Sequence, residues 1–185
     1  MLSLFEDLHT QLSNYPAATQ VQQEFLAQIQ SHSQTKEVLS ALYFTPGHIT
    51  VSALILSPDQ QNVALIFHPF LQLWLQPGGH LEPTDATLLA GARREAEEEI
   101  SISNLRSLLP YIFDIDIHNI PENAKKKQPS HLHMDIRFLF QSQTWELQAA
   151  SEIKSAKWVP LSAIEETMTD DSVRRLIRKL NIAPL

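Results

Sequence analysis

The sequence predicts a mixed α/β sandwich of the α+β kind, and three observations carry that prediction. Runs of β-branched and aromatic residues recur from about residue 47 onward, bounded by turn-forming residues. Segments of helical period stand before, between and after those runs. Strands and helices mix without a regular βαβ beat, as a mixed α/β sandwich requires. With 185 residues, 43% of them hydrophobic, the chain can bury one good core and is too short for two full-sized domains.

From Leu2 to about Tyr43 the apolar residues fall at helical spacing: Phe5, Leu8 and Leu12, then Val21, Phe25 and Ile29, then Val38, Leu39 and Leu42. Pro16 and the SHSQT stretch at 31–35 break them into two or three short helices. Residues 1–44 therefore read as an N-terminal helical appendage, and 45–185 as the main domain. HITVSALILS and NVALIFHP are strands joined by the turn-rich PDQQN, which suits a hairpin, and LQLWLQP is a third strand leading into Gly78 and Gly79. A helix follows over 86–100. Strand signals resume as YIFDIDIH (111–118), HLHMDIRFLFQ (131–141), WELQ and AKWVP, with the polar loop NIPENAKKKQPS between the first two. SAIEETM and DDSVRRLIRKL read as helices, with Ser162 and Asp170 as N-caps.

Fourteen basic against twenty-one acidic side chains give a formal charge of −7, which excludes a broad electrostatic footprint for duplex nucleic acid. A small anionic ligand stays admissible if a metal ion or local cations offset the repulsion. There is no cysteine, hence neither disulfide nor thiolate metal site, and this fits a reducing, cytoplasmic setting. Glu6 and Asp7 stand where a signal peptide needs a basic start, and no stretch approaches about 18 apolar residues, so neither secretion nor a membrane span is expected. A homodimer is left open, with the N-terminal helices as its candidate surface.

The segment GGHLEPTDATLLAGARREAEEEISI carries the chemistry. In a helix each residue turns about 100°, so Glu95, Glu98 and Glu99 stand at i, i+3 and i+4 on one face while Glu97 points away. As a solvated acidic face this costs only about 0.2–0.5 kcal/mol per like-charge pair. As a site it offers oxygen ligands to a hard dication such as Mg²⁺. Gly78 and Gly79 are two of only four glycines in the chain, and glycine lets backbone approach a ligand or metal without an intervening Cβ.

At these residues the chain resembles the Nudix hydrolase family, whose signature runs G-x5-E-x7-R-E-U-x-E-E-x-G-U, with U a bulky aliphatic residue. GGHLEP, Asp85 and REAEEEISI from Arg94 to Ile102 carry the likeness. Three departures stand out: Asp85 replaces the first signature glutamate, eight residues rather than seven separate it from Arg94, and Ser101 replaces the last glycine. An extra residue inside a helix would rotate everything after it by about 100°. TDATLL can absorb it before the helix, with Asp85 or Thr87 as cap. The resemblance implies an α/β/α sandwich with a mixed central sheet. It implies that Glu95, Glu98 and Glu99 bind Mg²⁺ (or Mn²⁺) with the Gly79 carbonyl as a further ligand, and that Arg94 orients the loop by pairing with Asp85 or, at i+4, with Glu98. It implies Mg²⁺-dependent attack of water on the diphosphate bond of a nucleoside diphosphate linked to another group. Glu98, Glu99 or Glu152 would be the general base. The alternative is a catalytically silent nucleotide-binding regulator, which would be expected to have lost a metal carboxylate. An isoprenyl diphosphate isomerase would need a cysteine.

Period-two alternation puts Asp114, Asp116 and His118 on one strand face and His131, His133 and Asp135 on another. These faces read either as the solvated side of an antiparallel pair or as a wall contacting substrate, with His131, His133 and Asp135 as its residues. His-x-His with a carboxylate is also acceptable ligand chemistry for a second metal, Zn²⁺ or Mn²⁺. His80, next to the double glycine, is a further candidate for substrate contact, whereas His48 and His68 read as structural. Lys125, Lys126 and Lys127 could meet phosphates, and Trp74 or Phe70 could stack on a base.

Overall fold

The computed structural model describes residues 2–69, 71–150 and 155–182. Its sheet has eight strands: β1 (Gly47–Leu56), β2 (Asn62–His68), β3 (Leu73–Leu75), β4 (Gly78–His80), β5 (Arg106–Ser107), β6 (Asp114–Ile120), β7 (His131–Gln141) and β8 (Ala156–Pro160). The helices are α1 (Leu4–Asn14), α2 (Gln20–His32), α3 (Leu88–Ile100) and α4 (Asp171–Ile182), with 3₁₀ turns at Lys36–Leu39, Ala124–Lys126 and Leu161–Glu166. β1 and β7 run parallel over Gly47–Leu56 and Leu132–Gln141, and the other strand pairs are antiparallel, so the sheet is mixed, as expected. Among the described residues no helix is long and apolar enough to cross a membrane.

Alternation along β1 assigns its two faces. Ile49, Val51, Ala53 and Ile55 join Ala92, Ala96, Met134 and Ile136 in one core, against α3; Leu54 and Leu56 join Val173, Leu176 and Ile177 in a second, against α4. The result is three layers with α3 and α4 on opposite sides. Leu8, Leu12 and Ile29 belong to the first core and are completely or almost completely buried, so the N-terminal helices share the apolar interior of the sheet. Each opens on a capping box, Ser3 with Glu6 and Thr19 with Gln22. Asp7, buried on α1, reaches across to accept the Leu88 N–H at 2.8 Å and so anchors the first turn of α3.

Some expected elements differ. WELQ forms no strand, because Trp145 is half exposed and its carbonyl takes the Trp158 indole N–H at 2.9 Å, an edge contact rather than a ladder. SAIEETM is a 3₁₀ turn without a side-chain cap from Ser162, whereas Asp170 caps α4 by accepting the Val173 N–H at 2.8 Å. The aspartates of the β6 and β7 face are not solvated, whereas His118 at its end is exposed. Asp114, Asp116, Asp135 and Arg137 are each under 5% exposed, and α4 lays Arg175 and Lys179 over them. Arg175 meets Asp114 at 3.2 Å and Asp116 at 2.8 Å, Lys179 meets Asp114 at 3.1 Å, and Arg137 meets Asp116 at 3.2 Å and Asp135 at 2.8 Å. Buried charges persist only when compensated in this way.

Candidate active site

The site is assembled where β4 passes under the C-terminal half of α3, Gly79 against Glu95 and Gly78 against Glu99. Thr87 caps the helix, accepting the Ala90 N–H at 3.1 Å, so the residue that exceeds the signature spacing lies in the loop before the helix and the register of Arg94 and the glutamates is kept. The far end closes on Ser101 in the left-handed conformation, φ 50° and ψ 30°, at the position where the signature has glycine.

Arg94 holds the loop by a forked contact. Its Nε and Nη2 donate to the two oxygens of Asp85, each at 3.0 Å, and Nη2 also donates to the His80 carbonyl at 2.8 Å. Its Nη1 donates to Glu95 and Glu98, both at 3.1 Å. Both pairings left open by the sequence are therefore made at once. The shorter Asp85 reaches because the loop brings it against the helix, where it also accepts the Glu82 N–H at 2.8 Å.

Glu95 and Glu99 meet the double glycine, and Glu98 joins Glu95 through Arg94. Glu99 accepts the Gly78 N–H at 2.9 Å. A Cβ placed on Gly79 would stand 2.5 Å from the Glu95 carboxylate, so the bare glycine is what lets that acid lie against the strand where it does. Glu98 keeps 57% of its side chain in solvent, against 14% for Glu95. Burial pushes the Glu99 carboxyl up to about 7, with the Gly78 N–H working against it and the Glu95 and Glu98 charges adding to it. Burial also raises Glu95, and Arg94 partly offsets this. Carboxylates gathered at such a cost form an oxygen-donor set that a hard dication relieves, so the residues present fit Mg²⁺. Glu152 and Phe70 lie outside the described residues.

The other face of β4 carries different chemistry. His80 pairs across from Thr50, and with His68, Ile120, Gln128, His131 and His133 it lines a cleft of about 230 Å³. His131 is buried and His133 half buried, so both reach the cleft. Asp135 lies deeper, its carboxylate taken by Thr50 Oγ1 at 3.2 Å, Ser52 Oγ at 2.8 Å and Arg137 Nε at 2.8 Å. Lys125 and Lys127 are exposed, and the Lys157 ammonium sits 4.0 Å over the Trp74 ring. His48, which reads as structural in the sequence, is fully buried beside these residues, and burial lowers it to about 4. Burial, then the neighbouring imidazoles, lowers His133 to about 2. Both are thus neutral rings at pH 7.

The NUDIX domain family profile matches residues 46–180. A protein of Lactococcus lactis subsp. cremoris (strain MG1363), named "Probable DHNTP pyrophosphohydrolase", is 25% identical over 177 residues, 96% of this chain and 99% of that protein. Among solved structures, a NUDIX-family hydrolase from Clostridium perfringens superposes with a TM-score of 0.55 at 21% identity, covering 73% of this chain and 97% of its own. The dihydroneopterin triphosphate pyrophosphohydrolase of E. coli gives 0.55 at 16% identity, covering 71% and 92%. These two likenesses show the fold. With the profile spanning most of its length, the chain belongs to the NUDIX domain family, and as a Nudix-type hydrolase it is an enzyme.

Proposed function

We propose that the protein hydrolyses the diphosphate bond of a small nucleotide-type substrate in a Mg²⁺-dependent reaction, using Glu95, Glu98, Glu99 and Arg94. The observation that carries this reading is that Glu99 and Glu95 meet the Gly78–Gly79 corner while Arg94 Nη1 joins Glu95 to Glu98 on the same helical face. The same three side chains, with the Gly79 carbonyl, would hold the ion. When bound, Mg²⁺ supplies charge neutralisation at the phosphoryl oxygens and lowers the pKa of a coordinated water. Arg94 fixes the strand and the loop to the helix, so that the acids keep their places. Glu98, the most exposed of the three, is open to solvent water and is our choice of general base; Glu152 stays a second candidate. His80, His131 and His133 would contact substrate from the cleft.

The Lactococcus relative aligns through the N-terminal helices as well as the domain, which favours a substrate of the kind its name states, a DHNTP-type triphosphate, within the nucleotide-like class. We keep 45–185 as the hydrolase domain and assign 1–44 the role of buttress to α3. The absence of cysteine favours a cytoplasmic setting.

The test is turnover of a panel of diphosphate and triphosphate compounds, dihydroneopterin triphosphate included, with Mg²⁺ or Mn²⁺, read as released phosphate or pyrophosphate. Glu98→Gln and Glu99→Gln should abolish turnover with the fold intact, since glutamine at 99 still offers an oxygen to the Gly78 N–H. Wild-type rates in both variants would overturn the assignment. Tight nucleotide binding without turnover in the wild type would instead favour the silent regulator.

A further inference from the structure

We propose that His48, His80 and His133 form a second metal site, separate from the glutamate corner, that takes a borderline transition ion of the Zn²⁺ class. Five of the eight histidines of the chain adjoin one another here: His48 lies 4.8 Å from His133 and 5.0 Å from both His80 and His131 between ring centroids, and His118 lies 5.5 Å from His133. Three elements bring them together. The parallel pairing of β1 with β7 sets His48 beside His133, and the antiparallel pairing of β1 with β4 sets His80 across from Thr50 on the same face.

One ligand nitrogen from each of His48, His80 and His133 can be chosen so that all three lie within 4.8 Å of one another. An ion with Zn–N bonds of about 2.0–2.1 Å holds its nitrogens about 3.3–3.6 Å apart, so closure by no more than about 1.5 Å completes the set. His48 supplies the observation that a hydrogen-bonded core cluster does not explain. Its Nδ1 is 3.0 Å from the Tyr43 carbonyl, which requires the proton on Nδ1 and leaves a lone pair on Nε2. That Nε2 is buried, in a fully buried residue, and has no hydrogen-bond partner among the described residues. An orphaned buried acceptor costs about 1–3 kcal/mol, and coordination removes the penalty.

The Tyr43 carbonyl on His48 Nδ1 is the outer-shell contact that orients a ligating imidazole for coordination through Nε2. His118, with Nδ1 3.1 Å from the Asp116 carboxylate, and His131, with Nδ1 2.7 Å from the Pro129 carbonyl, flank the three ligands without belonging to them. Three nitrogen donors with no carboxylate among them select a borderline ion over Mg²⁺, which prefers oxygen. His80 and His133 also line the 230 Å³ cleft, so a fourth coordination position would open to it.

The experiment uses tag-free full-length protein stripped with a chelator and titrated with Co²⁺, then with Zn²⁺ in competition. The expected result is one equivalent of Co²⁺ giving the intense visible bands of a low-coordinate nitrogen site, bleached by Zn²⁺. These bands should survive Glu95→Gln/Glu98→Gln/Glu99→Gln. His133→Ala and His80→Ala should each weaken Zn²⁺ binding beyond the 10–100-fold that loss of an outer-shell partner costs, roughly. His80 lies on a short, half-buried strand, so its variant tests the site even if a His48 or His133 variant folds poorly, with circular dichroism as control. Absence of the bands in the wild type, undiminished binding in folded His80→Ala, or loss of the bands in the glutamine triple variant overturns the proposal.

Discussion

Replacing Arg94 by methionine, which keeps much of the side-chain volume and removes the charge, should destabilise the protein by about 2–3 kcal/mol. Removing one partner of a buried ion pair costs about 3–5 kcal/mol, because the other charge is left uncompensated. Here the left-over charge is Asp85, whose side chain is 5% exposed. Two features reduce the figure: Arg94 itself is 21% exposed, and Asp85 keeps its hydrogen bond from the Glu82 N–H. For a chain of this size the loss corresponds to a melting temperature lower by about 4–12 °C. The assay is thermal unfolding in the presence of a chelator, on Arg94→Met, Asp85→Asn and the double variant. A coupling of about 1.5–3 kcal/mol is expected, since the two groups share two hydrogen bonds of 3.0 Å. Arg94→Lys should recover less than half of the loss, because a single ammonium cannot reproduce the fork to Asp85 together with the His80 carbonyl. A melting temperature for Arg94→Met within about 2 °C of wild type, or strict additivity in the cycle, refutes the reasoning.

Three further outcomes rest on separate features. Asp7→Ala should cost about 1–2 kcal/mol in chemical denaturation by orphaning the Leu88 N–H, with Asp7→Asn nearly neutral; equal losses in both would mean that charge rather than the acceptor matters. Ser101→Gly should gain roughly 0.5–1 kcal/mol, as the left-handed penalty of about 1–2 kcal/mol exceeds the added freedom of glycine in the unfolded chain; a loss of stability would mean that the Ser101 side chain makes a contact of greater value. Burial opposes ionisation of Asp114 and Asp116, but Lys179, Arg137 and Arg175 outweigh it at Asp114, and the His118 hydrogen bond with Arg137 and Arg175 outweighs it at Asp116, so both are held below the usual carboxylate range. A depressed folded-state pKa contributes stability that is present above the unfolded value of about 3.9 and is lost as pH falls through the folded one. The melting temperature should therefore fall below about pH 4, and a profile level down to about pH 2 would remove this network from the account.

What the sequence made legible was what is local. β7 and β8 were read to the residue, because alternation or a short apolar run bounded by polar turns has few other readings. The shared face of Glu95, Glu98 and Glu99 follows from helical geometry alone. What it hid depends on contacts between distant segments. Nothing near Asp7 says that it will cap a helix starting 81 residues later. Asp114 and Asp116 look compatible with solvent in the sequence because the basic groups of α4 that neutralise them, Arg175 and Lys179, are about 60 residues away. His48 looked like a lone strand histidine, since its neighbours His80 and His133 are supplied by two different strand pairings.

β4 joins the two sites because it has only three residues and both of its faces are used. Gly79 turns toward α3 and must lack a side chain for Glu95 to fit, whereas His80, one residue later, turns by the strand's period of two toward His48 and His133. Arg94 then binds the carbonyl of that same His80 while holding Glu95 and Glu98, so the backbone that presents the histidine is tied to the side chains that present the acids. An oxygen-donor set on one face and a nitrogen-donor set on the other can sort two ions by chemistry rather than by affinity alone, because Mg²⁺ and a borderline ion prefer different donors. A Cβ at position 79 would displace the Glu95 carboxylate from this corner, and His80 follows it directly in the same short strand, so the glycine stands between the two donor sets.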